Sequence, residues 1–120
     1  MTRLMSVSLT EAAVVERRKT VTRRKGWTTL KPGTRLTLCR KVMGRKPGDP
    51  LVRLAEVEVL HVTREPLAMI HADPADVVRE GFPDLSPDEF VRYFCEHMGG
   101  DAWQVVTRIG WRYLDGEALA

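Results

Sequence analysis

The densest concentration of chemistry-bearing side chains is Arg17-Arg18-Lys19-Thr20-Val21-Thr22-Arg23-Arg24-Lys25, six cations and two hydroxyls in nine residues. Guanidinium forks beside hydroxyls suit a phosphate oxygen or the polar edge of a base. On a strand, Thr20, Thr22 and Arg24 share one face while Val21 and Arg23 take the other, so one set can point into a cleft. The competing reading is a solvated basic edge that deters strand aggregation. Glu80 is the second residue of interest. It stands at the end of an expected helix, where the dipole disfavours a negative charge. Facing the basic cluster, it would be neutralised there and could donate a proton or accept a hydrogen bond; otherwise it is an ordinary surface glutamate.

Other chemistries find little support. His61, His71, His97, Cys39 and Cys95 show no metal-ligand spacing beyond Cys95-x-His97, which a helix would splay, so neither a metal nor another cofactor is expected. GxSxG, Walker, GxGxxG and HExxH motifs are absent.

The net charge of +3 conceals an asymmetry. Residues 1–53 hold 14 basic against 3 acidic side chains, and residues 54–120 hold 5 against 13, so the halves carry +11 and −8. A block of positive charge attracts phosphate through counterion release. The alternative is that the basic half lies against the acidic half and much of the field cancels. With 120 residues and two distant cysteines, a single domain at 1–120 is expected to fold without staples, in a reducing cytoplasm. The opening residues lack the apolar core of a signal peptide, and no stretch approaches the ~20 apolar residues needed to span a bilayer.

The elements that must hold these groups follow from local pattern. Arg3 to Ser8 alternates as a short strand, and Ser8 with Glu11 resembles a capping box opening a helix to about Arg18. Thr20-Val21-Thr22 favours extended chain, which leaves Lys19 at a helix-to-strand junction. As a charged junction residue, Lys19 is expected to carry little packing. Residues 24–33 read as a loop with Trp27 folded back onto the body. Arg35–Val42 and Leu51–Val62 read as an antiparallel hairpin across the Gly- and Pro-rich turn 44–50. A helical piece around Leu67–Ile70 precedes a helix from Asp73 to about Glu80, capped by Asp73 with Pro74 first, and Gly81 stops it. Ser86-Pro87-Asp88-Glu89 opens a helix carrying Phe90, Phe94 and Met98 on one stripe. Trp103–Leu114 is the last strand, with Gly110 a bulge or close approach. Four to six strands with few, short helices make an α+β fold, a small twisted barrel whose openings the helices cover.

Lys19-Thr20-Val21-Thr22-Arg23-Arg24, Leu30-Lys31-Pro32-Gly33, Glu80-Gly81-Phe82 and Val106-Thr107-Arg108-Ile109 resemble, in that order and spacing, an ASCH domain, from about Val14 to Leu114. The resemblance implies a PUA-like β-barrel with a cleft that binds RNA or a modified nucleoside. It further implies, for one bacterial branch, an amidohydrolase that removes acetyl from acetylated cytidine. Carried over residue by residue, Lys19 matches that branch's base, Thr22 its nucleophile and Glu80 its proton donor. Arg18, Arg23 and Arg24 would lower the pKa of Lys19 by like-charge repulsion. The family often has glycine where this chain has Arg17.

The expectation is therefore a binder of RNA or a nucleoside. Lys19, Thr22 and Glu80 would lie at the centre of the site, with Arg18, Thr20, Arg23, Arg24, Lys25 and Trp27 contacting the ligand. The rivals are the amidohydrolase, a ribonuclease, and a module docking on an acidic protein. Trp27 and Trp111 are either base-stacking platforms or barrel core.

Overall fold

A computed structural model describes residues 2–114; Met1 and 115–120 of the expected 1–120 domain lie outside the described residues. β1 (Arg3–Ser6) leads through a 3-10 turn at Ser8–Thr10 into α1 (Glu11–Val15) and then β2 (Val21–Arg24). The hairpin β3 (Arg35–Cys39) and β4 (Arg53–Pro66) follows. A 3-10 stretch (Leu67–Ala72), α2 (Ala75–Arg79), α3 (Pro87–Met98) and β5 (Val105–Tyr113) complete the chain. The five strands form one sheet in the order β1-β3-β4-β5-β2, curled into a half-barrel. All neighbours are antiparallel except β1 with β3. The fold is α+β, and no described helix is long and apolar enough to cross a membrane.

Two apolar clusters hold it together. Met5, Val14, Leu36, Leu38, Val57, Ile109 and Trp111 fill the curl of the sheet. Leu67, Ile70, Val77, Phe90, Phe94 and Val106 anchor α2 and α3 over one end. The edge strands β1 and β2 are linked by a side chain, Arg24 Nη2 donating to the Ser6 carbonyl at 2.7 Å.

Several local expectations need correction. Ser8 forms no side-chain cap, because it opens the 3-10 turn and Thr10 takes the cap position of α1; the Glu11 carboxylate pairs with Arg40 at 2.8–3.1 Å. α1 stops at Val15 rather than near Arg18, and Arg17 turns the chain with φ 63°. That left-handed conformation favours glycine. Arg17 offsets part of the cost by donating Nη1 to the Val14 carbonyl at 2.8 Å and lying over the Tyr113 ring. Asp73 does not cap α2 but pairs with Arg79 at 2.9 Å, and Pro74 takes the cap position. β4 runs four residues past Val62, to Pro66. The capping box at Ser86 and Glu89 forms in full. Phe90 and Phe94 are buried, whereas Met98, at the helix end, is exposed. Gly110 is the expected close approach: a Cβ there would stand 2.1 Å from the His61 ring.

Candidate functional site

Lys19 is fixed from three sides. Its N–H donates to the Ala13 carbonyl at 3.1 Å, and its carbonyl accepts from Trp111 Nε1 at 3.0 Å and from the Tyr113 hydroxyl. One residue on, the Thr20 N–H donates to the Arg79 carbonyl at 2.9 Å, tying the entry of β2 to the end of α2. Glu80 ends α2, and Gly81, with φ 102°, turns the chain away in a conformation other residues adopt poorly. The two segments bring Lys19 Nζ to 2.6 Å from the Glu80 carbonyl and 3.3 Å from its Oε1.

A buried charge network extends from this pair. Arg23 donates Nη1 to Glu80 Oε2 at 2.9 Å and Nη2 to Asp76 Oδ2 at 2.6 Å. Asp76, only 1% exposed, also accepts two bonds from Arg108 at 2.8 and 2.9 Å and one from Arg79 at 2.9 Å. Burial alone would raise the Asp76 pKa, but the bonds from Arg108, Arg79 and Arg23 outweigh it and hold the carboxyl well below its usual range. Charged groups this deeply buried persist only when paired in this way.

Lys19 is buried, which corrects the expectation of a lightly packed junction residue. Its pKa falls to about 8, chiefly through burial; the Glu80 charge and hydrogen bond oppose the shift while Arg24 and Arg23 add to it. Like-charge repulsion is thus the lesser cause, and Arg18 takes no part, pairing instead with Glu16 at 3.0 Å.

These groups form one wall of a cavity of about 340 Å³. Lys19, Thr22, Arg23, Arg24 and Glu80 supply its polar side. Phe82, with Phe90, Tyr93, Phe94, His97 and Met98 of α3, also lines it, as does the turn Ser6–Thr10. The Phe82 and Tyr93 rings meet at 4.9 Å between centroids, tilted by 58°. Thr22 Oγ1 accepts from Arg24 Nε at 3.1 Å.

Of the residues singled out from sequence, Lys19, Thr22, Arg23, Arg24 and Glu80 meet at this cavity. Arg18, Thr20, Lys25 and Trp27 do not line it. Trp27 packs beside the barrel core with Arg3 over its ring, and Trp111 is core. Asp76 and the aromatic wall were not foreseen. Asp76 looks like any first-turn helix acid. Phe90, Tyr93, Phe94 and His97 do recur at helical spacing, but that pattern reads equally as core.

No protein-family model matches the chain, and no curated protein matches it either. Solved structures do. An ASCH structure from Zymomonas mobilis superimposes with a TM-score of 0.58 at 17% identity, covering 91% of this chain and 65% of that one. The chain thus spans slightly under two thirds of that protein. A DUF984 protein from Enterococcus faecalis gives 0.67 at 15% identity, covering 95% of this chain and 80% of that one. An ASCH domain from Lactobacillus crispatus gives 0.57 at 11%, covering 92% and 79%. The fold is that of a small half-barrel with a charged cavity between sheet and helices. More particularly, it is an ASCH-like fold.

Proposed function

We infer that the protein binds RNA or a nucleoside, taking one nucleoside unit into the cavity. The observation that carries this reading is that one cavity is lined by two unlike sets of side chains: the aromatic rings of α3 and Phe82, and the polar groups of Lys19, Thr22, Arg24 and Glu80. A base offers a π-face to the first and hydrogen-bonding edges to the second. The volume, about 340 Å³, lies at the small end of the ~300–1,000 Å³ typical of ligand pockets. It suits a single unstacked base with its sugar rather than a duplex. Titration calorimetry with the four ribonucleosides, their monophosphates and a short single-stranded RNA tests the reading. Saturable binding that weakens at least tenfold in Phe82→Ala is expected. No binding of any of these by folded protein would end it.

A second reading, the removal of acetyl from acetylated cytidine, draws support from the Lys19–Glu80 contact and from a lysine pKa near 8. A neutral Lys19 would take the proton as the Thr22 oxygen attacks the acetyl carbon. The protonated Lys19 would pass that proton through the Glu80 carboxylate it touches to the departing amine as the carbon–nitrogen bond breaks, and water would then release acetate from Thr22. Chromatography of protein incubated with acetylated cytidine tests it: cytidine released by wild type but not by Thr22→Ala or Glu80→Ala is the supporting result. No release leaves binding alone.

A further inference from the structure

The three cations on the cavity wall are not equivalent. Lys19 and Arg23 share the carboxylate of Glu80, and Arg23 has Asp76 behind it as well. Arg24 forms no ion pair among the described residues. Its Nε bonds the Thr22 hydroxyl and its Nη2 the Ser6 carbonyl, both neutral acceptors, and Nη1 has no partner among the described residues. Arg24 is only partly buried, so that free edge is open to the cavity, and the nearby charge of Glu80 acts on it at longer range without a direct contact. Glu80 is the one carboxylate among the residues lining the cavity, and it is committed to Lys19 and Arg23.

A guanidinium whose plane is held by two neutral acceptors, with one edge unspent on the cavity wall and the nearest carboxylate already shared by Lys19 and Arg23, is a prepared seat for an anion. Its planar fork matches the oxygens of a phosphate, and charge-assisted bonds of this kind are about twice as strong as neutral ones. The two existing bonds fix the plane of the fork, so little ordering remains to be done when an anion arrives.

We propose that the ligand of the cavity is a nucleotide rather than a nucleoside, its phosphate seated on Arg24 while the base lies against the aromatic wall. This rests on the nucleoside-binding reading above and adds the charge of the ligand. The phosphate is that of a free nucleoside monophosphate or of a strand terminus, and both sources present the same oxygens.

Wild-type protein is titrated by calorimetry with cytidine, adenosine, their 5′- and 3′-monophosphates, a short RNA with and without a terminal phosphate, and inorganic phosphate. One or more monophosphates should bind at least tenfold tighter than the parent nucleoside, and the gap should shrink below threefold in folded Arg24→Gln. A gap with the phosphorylated RNA terminus but not with free monophosphates places the ligand at a strand end. Nucleosides binding as tightly as their phosphates would overturn the proposal and leave nucleoside binding intact. So would a gap that persists in folded Arg24→Gln. Inorganic phosphate binding as tightly as the nucleotides would overturn it too, and no binding of any probe would overturn both readings. Arg24→Gln also removes the bridge to Ser6, so if that variant fails to fold the wild-type comparison alone still decides.

Discussion

The Nζ of Lys19 donates to the backbone carbonyl of Glu80 at 2.6 Å while lying 3.3 Å from the same residue's carboxylate, so one buried lysine both caps the end of α2 and pairs with its last side chain. Its position does not depend on the carboxylate alone. Glu80→Gln should therefore keep the fold, with Lys19 still held by the carbonyl, and its stability in urea should fall by about 1–3 kcal/mol as a charge-assisted bond is lost. Complete unfolding of Glu80→Gln would show that the ion pair, not the backbone contact, holds α2 to β2.

The lowered pKa of Lys19 makes a signed prediction. Folded protein releases this proton near pH 8, whereas the unfolded chain keeps it to about 10.5, so between those values the unfolded state binds more protons and stability rises with pH. Below pH 8 the full cost of burying the charge is present, on the order of 3 kcal/mol at ~1.4 kcal/mol per pKa unit. Urea denaturation at pH 7 and pH 10 should show a rise in wild type that is absent from Lys19→Met. Parallel profiles for the two proteins would disprove the assignment.

Asp76 is the central acceptor of the network, and Asp76→Asn removes the charge that three arginines share. Loss of one partner from a buried ionic cluster costs about 3–5 kcal/mol. The carboxyl pKa is depressed in the folded state, so its contribution is present above the unfolded value of about 3.8 and fades as pH falls below it. Wild type should therefore lose stability between about pH 4 and pH 2 by more than Asp76→Asn does, read from denaturant midpoints.

The strands and the Ser86 helix were legible because alternation and the capping box are local signals, complete within a few residues. The gathering of Lys19, Thr22, Arg24 and Glu80 was legible through ordered short motifs resembling a family. Asp76 was not, since its role is created by Arg23 and Arg108, 53 and 32 residues away, on strands whose pairing no local pattern reveals. The burial of Lys19 was missed for a related reason. It follows from Trp111 and Tyr113 reaching across the sheet to its carbonyl, contacts 92 and 94 residues apart in sequence.

Arg17 stands in the left-handed region at φ 63°, where the resemblance leads one to expect glycine. Arg17→Ala would keep the backbone cost while losing the bond to the Val14 carbonyl. Arg17→Gly loses the bond but relieves the backbone. The glycine variant should be the more stable by about 1 kcal/mol in thermal or urea melts. The reverse order would mean that flexibility at this junction costs more than strain.

Gly110 and His61 face each other across β4 and β5, and the imidazole occupies the space of the missing side chain. His61 is exposed and, among the described residues, hydrogen-bonded through Nδ1 to Arg108 Nη1 alone at 3.2 Å, so it can swing aside. Gly110→Ala should then cost about 1 kcal/mol, the loss of that bond and of a packed ring. In His61→Ala the alanine at 110 meets no ring, so the same change should cost less, a coupling of about 0.5–1 kcal/mol in a double-mutant cycle. Equal costs in both backgrounds would show that the glycine answers to the backbone, not to the ring.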